Sequence, residues 1–403
     1  MSERVILHCD CNSFFASVET VLNPKYASVP MAVCGSEEDR HGIVLAKNEL
    51  AKSYGIVTAE TVYSAKKKCP NLVIAKPHYD EYVKFSKRVN EIYAEYTDII
   101  EPFGIDESWL DITASLRFFG SEKAIAEEIL DRVHKEIGIT VSIGVSFNKV
   151  FAKLGSDYKK PNAITYISKD NFKEIVYPLP VDILLFVGRK TAESLRHIGV
   201  RTIGDLASIS ESSLVSRFGK IGHMLYKYSN GLDDSPVLAE VHTSQKSISN
   251  GFTFKRDLTS MEEWRMGIDF LSEEIGYKLR STGQIASGIS ITIKDEYLRS
   301  IQRQRKISHP TDISSEIAKY ALDILSSEWS ENKPIRMLTV TVYDLVFANS
   351  ENEQISFFTD DSLDREKSKI KEETVDNIRQ KYGTASIVRG ALLGSDLGIL
   401  KKE

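Results

Sequence analysis

The order of the apolar periodicities constrains this chain most. Val5–Cys9 is a short apolar run of strand type, and Tyr79–Thr97 places its apolar side chains at helical spacing. Ile99–Phe103 and Ser108–Ile112 read as two strands of a hairpin joined near Gly104-Ile105-Asp106-Glu107. A helix over Glu122–Ile137 stops at Gly138, and the β-branched run Thr140–Ser146 reads as a further strand. Strand, helix, strand, strand, helix, strand is the order of a split βαβ, ferredoxin-like sheet. The same order recurs without sequence repetition. Its strands are near Ser249–Phe254, Ile285–Asp295, Arg299–Ile307 and Met337–Val346, and its helices near Met261–Arg280 and Ile313–Trp329. Two such sets predict an α+β protein of several domains.

The rest of the chain is distributed around these two sets. Residues 14–78 form an insertion after the first strand. It holds a helix over Ser13–Leu22 stopped by Asn23-Pro24, strands at Met31–Cys34 and Gly42–Ala46, and a short helix over Asn48–Tyr54 closed by Gly55. After residue 168, short helices separated by Gly188, Gly199, Gly204, Gly219 and Gly222 predict a small helical module. Ala348–Glu353 is polar and linker-like, and a charged helix over Asp364–Lys381 follows. The boundaries expected are 1–13 with 79–167, 14–78, 168–236, a linker at 237–245, 246–348 and a tail at 349–403.

Charge locates the chemistry. The chain has 52 Lys+Arg against 57 Asp+Glu, net −5. Residues 1–13 with 79–167 hold 12 basic and 17 acidic side chains, so the whole deficit falls in one segment. Such a segment suits cations better than polyanions, while local patches elsewhere still allow nucleic acid. No apolar run has the roughly 18 residues of a membrane span, and the start of the chain is too weakly apolar for a signal peptide. Cys9, Cys11, Cys34 and Cys69 form no CxxC pair, which excludes the usual zinc frameworks and fits reduced thiols in a cytoplasmic protein.

Within the acidic segment, Asp10 ends the first strand and Asp106-Glu107 sit at the hairpin junction. In a split βαβ sheet that strand and hairpin are neighbours, so three carboxylates converge at one edge. They repel one another unless cations are present. Two Mg²⁺ ions about 3.5–4 Å apart would satisfy them and clamp the oxygens of a phosphoryl transfer. Pattern alone also allows Asp10 as a helix cap and Asp106-Glu107 as exposed turn acids.

Four motifs carry a resemblance. His8-Cys9-Asp10-Cys11-Asn12-Ser13-Phe14-Phe15-Ala16-Ser17-Val18-Glu19 resembles the first signature of the Y-family translesion DNA polymerases. Gly104-Ile105-Asp106-Glu107-Ser108-Trp109-Leu110-Asp111 resembles the second. Ser142–Lys153 and Lys160-Pro161-Asn162 resemble the third and fourth, in family order and at family spacing. The resemblance covers essentially the whole chain and is closest to the bacterial polymerase IV and polymerase V catalytic-subunit types.

It implies a right hand. The palm is residues 1–13 and 79–167, the fingers 14–78, the helical thumb 168–236, and a second ferredoxin-like domain, the little finger, 246–348. It implies that Asp10, Asp106 and Glu107 are catalytic and hold two Mg²⁺, with the Cys11 carbonyl as a further ligand. Phe15 matches the steric-gate position, where a ring occupies the space of a ribose 2′-hydroxyl. Amides around Phe14 and Phe15 and the Lys160 ammonium would take the triphosphate. Where the family often has a Tyr and an Arg three residues apart, ungapped counting finds Glu49 and Lys52. Lys52 keeps the charge without the bidentate fork, and Asn48 is expected to share the contact. Asn12 stands where many relatives carry another acid. Ile43, Leu45 and Ala59 count to the roof over the nascent base pair, where Leu45 is bulkier than the residue in some relatives.

DNA contacts are expected in two further places. Phe186-Val187-Gly188-Arg189-Lys190 resembles a helix-hairpin-helix turn with one of its two usual glycines, giving Gly188 and Lys190 as phosphate contacts. Arg299, Arg303 and Arg305 fall at even spacing on a strand and so share a face, which the resemblance directs at the duplex backbone. Gln354-Ile355-Ser356-Phe357-Phe358 resembles the pentapeptide that docks on the bacterial sliding clamp. The implied partners are primer-template DNA, deoxynucleoside triphosphates and that clamp, for a monomer with no membrane role. A nucleotide cyclase on the same palm would leave about half of the chain unexplained. A non-catalytic clamp-binding repair factor would not need all three carboxylates, whereas an accessory-dependent one would look much the same in sequence.

Overall fold

The computed structural model describes residues 3–36, 40, 42–239, 245–330, 333–348 and 361–399, of which 361–363 by backbone alone. The chain divides into two units, Met1–Gly35 with Ile43–His242 and Ser36–Gly42 with Thr243–Glu403.

In the first unit, β1 (Ile6–Cys11) runs into α1 (Phe14–Leu22), which Asn23 closes. The insertion builds a small sheet from β2 (Met31–Cys34) and β3 (Val44–Lys47), with α2 (Glu49–Ser53) and α3 (Val62–Lys68) preceding β4 (Val73–Ala75). Its strand order is β3-β2-β4. The sequence pattern reveals neither the Lys-rich α3 nor the three-residue β4. Then come α4 (Tyr79–Ala94), β5 (Ile100–Pro102), β6 (Glu107–Asp111), α5 (Leu116–Phe119), α6 (Glu122–Arg132), β7 (Val141–Ser146), α7 (Lys149–Tyr158) and β8 (Ile164–Ile167). A π turn over Val133–Ile137 carries α6 on to Gly138, in the left-handed region at φ 85°, so the helix ends where the sequence expects.

The large sheet has the order β5-β6-β1-β7-β8. Its first four strands have the ferredoxin-like pairing expected, and β8 adds a parallel edge beside β7. Leu7, Cys9, Val141, Ile143 and Val145 face a core that Tyr82, Phe85, Val89, Ile125 and Ile129 of the two long helices complete. Helix α7 lies on the other face. Asn148 caps it by accepting from the Phe151 amide. A Cβ at Gly144 would stand 1.9 Å from the Ala152 carbonyl oxygen, so only glycine lets α7 approach β7 this closely.

The helical module consists of α8 (Phe172–Val176), α9 (Arg189–Arg196), α10 (Ile203–Ala207), α11 (Glu211–Phe218) and α12 (Lys220–Ser229). At the α11–α12 turn Gly219 takes φ 60°, and a Cβ at Gly222 would meet the Leu214 carbonyl at 2.1 Å. Glycine is required at both.

The second unit runs β9 (Ser247–Leu258), α13 (Met261–Ser281), β10 (Gln284–Asp295), β11 (Ser300–Thr311), α14 (Ser314–Glu328), β12 (Ile335–Phe347) and α15 (Asp361–Tyr382). The element order is the expected one, but the sheet order is β11-β10-β12-β9, all antiparallel. A ferredoxin-like sheet would set the first strand in the middle; here β9 and β11 are the edges. Periodicity specifies the elements and their inward faces. Cross-strand pairing between distant segments selects the neighbours.

The tail belongs to this second unit. Leu392, Leu397 and Ile399 join the core of Trp264, Ile268 and Leu271. Arg280 of α13, its side chain 9% exposed, binds Asp376 at 2.6 Å and Glu372 at 2.5 Å, both on α15. Replacing Arg280 by Ala leaves two half-buried carboxylates without their cation. A loss of about 3–5 kcal/mol is expected for this unit in urea unfolding; a change within error would mean that the other ion pairs of α15, Arg365 with Glu316 and Arg379 with Glu273, suffice to hold it.

Candidate active site

The site is built on the edge between β1 and β6. Register sets Asp10 directly opposite Glu107, and the Cys11 amide donates to the Asp106 carbonyl at 2.9 Å. The three carboxylates are thereby brought to one cleft by pairing across the sheet, with Asp10 itself buried. From the same face α7 supplies Lys153, whose Nζ lies 3.1 Å from Asp10 Oδ2 and 2.7 Å from Glu107 Oε2. Lys160 Nζ lies 2.6 Å from Asp10 Oδ2, and Asp157 takes both lysines, at 3.2 and 2.7 Å. Beneath them His8 is fully buried. Its Nδ1 is 2.8 Å from Ser156 Oγ, its Nε2 is 3.2 Å from Glu107 Oε2, and its ring stands edge-on to Trp109.

The electrostatics divide the carboxylates. Burial would raise Glu107, but His8 and Lys153 hold it down to about 2. Burial, then Asp10 and Glu107, push Asp106 up to about 6. Asp106 has no ion-pair partner among the described residues. Asp10, Glu107 and His8 Nε2 bring ligand atoms within 4.8 Å of one another, and Asp106 lines the cleft beside them. Four carboxylates, Asp106 without an ion pair and resisting ionisation, stand against two ammonium groups with one imidazole nitrogen beside them, an oxygen-rich site short of positive charge. A divalent hard cation fits it.

The cleft measures about 320 Å³ and is walled by Ser13, Phe14 and Phe15 on one side and Leu45, Ala46, Lys47 and Thr58 on the other. Ser13 takes φ 47° and no side chain caps α1, so the amides of its first turn are left open at this wall. Phe14 is buried, and Phe15 is partly exposed in the cleft.

Two nucleotide contacts expected in the fingers need correction. Asn48 is spent inside the fold: Oδ1 accepts from the Ala51 and Met31 amides, and Nδ2 donates to the Tyr26 and Val29 carbonyls. Lys52 is exposed beside Glu49 and does not line the cleft. The cation of this wall is Lys47, whose Nζ donates to Thr58 Oγ1 at 3.0 Å. Ungapped counting missed it because only the strand-to-helix turn decides which side chain faces inward. Lys153 was also missed, although its i,i+4 spacing with Lys149 and Asp157 signals a helix presenting a cation. Of the roof residues, Leu45 lines the cleft, whereas Ile43 and Ala59 do not.

Gly188 is the N-cap of α9, and Lys190 is exposed in its first turn. Arg303 and Arg305 share a face, as even spacing requires, but pair across the sheet with Ile291 and Ile289, which face the core. Arg303 Nε binds Glu328 of α14 at 2.8 Å, and Arg299 precedes the strand. The expected open row of arginines therefore stands at the edge of the helix-covered face. The other face of β11 presents Gln302, Gln304 and Lys306, opposite Thr292, Ser290 and Gly288. Which face is open follows from core pairing, which even spacing does not encode. Gln354–Phe358 lie outside the described residues.

Comparisons with known proteins agree with this geometry. The impB/mucB/samB family matches residues 9–157, and its C-terminal domain matches residues 245–357. The DNA polymerase-iota thumb domain matches residues 186–233. The chain is 48% identical over 392 residues to a DNA polymerase IV of Acetivibrio thermocellus, covering 97% of this chain and 98% of that one. It is 36% identical over 395 residues to a DNA polymerase IV of Clostridium kluyveri, covering 97% and 98%. A solved Y-family DNA polymerase chimera superposes with a TM-score of 0.76 at 23% identity, over 85% of this chain and 99% of that one, which gives the fold. With relatives this similar along almost its whole length, the chain belongs to the Y-family of DNA polymerases, the impB/mucB/samB family of the DNA polymerase IV proteins.

Proposed function

We propose that this polymerase adds deoxynucleotides to a primer 3′ end by two-metal transfer and copies damaged templates. The observation that carries the reading is the register of Asp10 against Glu107, with Asp106 beside them, at a cleft that Phe15 and Lys160 line. Residues 1–13 and 79–167 act as palm, 14–78 as fingers, 168–236 as thumb and 246–348 as little finger. The linker is 237–245, and the tail 349–403 carries a clamp-binding segment, Gln354–Phe358. The chain works as a cytoplasmic monomer with the sliding clamp as partner.

Asp10, Asp106, Glu107 and the Cys11 carbonyl would hold two Mg²⁺. Bound there, the ions lower the pKa of the primer 3′-hydroxyl and neutralise the triphosphate with its departing pyrophosphate. Lys160 exchanges Asp10 for phosphate oxygens, and Lys47 draws the same charge from the fingers side. The open amides of α1 donate to the triphosphate oxygens. Phe15 fills the space of a 2′-hydroxyl and so selects deoxyribose by clash. Gly188 and Lys190 hold the duplex backbone without reading sequence. Arg299 and Arg305 add charge at the little-finger edge.

Primer extension on intact and abasic templates with Mg²⁺ tests the reading. Template-directed addition past the abasic site is expected. No extension by the folded protein, alone or with a loaded clamp, would favour a binding factor without catalysis. Leu45 narrows the cleft wall, so Leu45→Ala should raise bypass of a bulky adduct by about fivefold relative to undamaged template. An unchanged ratio would remove Leu45 from lesion selection.

A further inference from the structure

A polar network, buried at Glu19 and Tyr82 and open to solvent at His78, stands behind Phe15. The Phe15 ring stacks on Tyr82 with centroids 4.2 Å apart and planes 12° apart. Tyr79 meets the same ring edge-on at 5.9 Å. Tyr82 is fully buried, and its hydroxyl donates to Glu19 Oε1 at 2.5 Å. Glu19 lies one helical turn after Phe15 on α1, only 2% exposed, and His78 Nδ1 reaches its two oxygens at 2.9 and 3.1 Å. Burial and the bond to Glu19 push the Tyr82 phenol well above its usual range, so it stays a donor.

A carboxylate this deep is costly unless partnered, and an apolar pair would join α1 to α4 without that cost. What this arrangement adds is direction. A bare aromatic stack tolerates sliding and tilting. A hydroxyl tied to a carboxylate on the same helix as the stacked ring fixes the offset of Tyr82 against Phe15. His78, at the head of α4, holds the carboxylate from its other side. The ring's rear face is thus set by Tyr82 and its tie to Glu19, while its front lines the cleft.

We propose that Glu19, Tyr82 and His78 are positioning residues for sugar selection: they hold the Phe15 ring forward, and loosening them lets the ring yield to a 2′-hydroxyl. This rests on the steric-gate reading of Phe15. A gate acting by clash discriminates only as far as it cannot retreat, so the network governs selectivity more than deoxynucleotide turnover.

The test measures kcat/KM for deoxy- and ribonucleotide addition on one primer-template, with thermal midpoints alongside. Tyr82→Phe keeps the stack and removes the tie to Glu19. It should raise ribonucleotide kcat/KM by about tenfold, about 1.4 kcal/mol of transition-state binding, with deoxynucleotide kcat/KM within about threefold. The gain should fall mainly in kcat, since the yielding ring relieves the clash in the reacting complex. Glu19→Gln retains an acceptor for the Tyr82 hydroxyl and should keep most of the discrimination, whereas Glu19→Leu should lose it. Phe15→Ala serves as the control. If it retains discrimination, the gate reading fails and the network falls with it. If it loses discrimination while folded Tyr82→Phe and Glu19→Leu keep the wild-type ratio, the gate stands and the network only joins two helices.

Discussion

Asp106→Ala is expected to lower primer extension by about a thousandfold or more, some 4 kcal/mol of transition-state stabilisation. Its fold should survive. Asp106 makes no ion pair among the described residues, and its carboxyl is pushed up to about 6 by burial and by Asp10 and Glu107. A carboxyl raised above its unfolded value favours folding while protonated, and that contribution is lost as pH rises past about 6. Removing the group at neutral pH therefore relieves repulsion in the metal-free protein. The thermal midpoint should hold or rise, and DNA binding by anisotropy should stay within about threefold. Millimolar Mg²⁺ should raise the midpoint of the wild type more than that of the variant. Loss of extension together with DNA binding and midpoint would instead mean that Asp106 holds the hairpin together.

Phe15→Ala should raise ribonucleotide incorporation by about 10²–10³-fold, because a clash is removed without any new attraction having to be built. Deoxynucleotide addition should fall by less than about tenfold, through lost packing against the sugar. The substitution strips one face of Tyr82 and opens the end of α1, and a cost of about 2–3 kcal/mol follows from truncating a half-buried aromatic. A variant that extends with deoxynucleotides and still refuses ribonucleotides would assign sugar selection to another wall of the cleft.

Legibility differed between the elements and their neighbours. The strand at Met31–Cys34 and the helices opening at Tyr79 and Glu122 stand where periodicity puts them, since each is defined by its own apolar face. Helix α7 carries a legible stripe, Lys149, Lys153 and Asp157 against buried Val150, Phe151 and Leu154, but its spacing does not say which carboxylates Lys153 meets. In the insertion after β1, Asn48 reads from sequence as a ligand, yet its four hydrogen bonds are consumed within the fold.

The sequence by itself determined the two β-α-β-β-α-β orders, the acidic segment and the three carboxylates with their aromatic neighbour. These are local facts, written in spacing and residue type. Only the tertiary structure decided that β12 stands between β9 and β10, that Arg303 and Arg305 lie on the helix-covered face, and that Lys153 and Lys47 join Lys160 at the cleft. Those outcomes depend on which distant segments pair. A period of two or 3.6 says that a side chain alternates or recurs, and strand neighbours must be known before it says what the side chain meets.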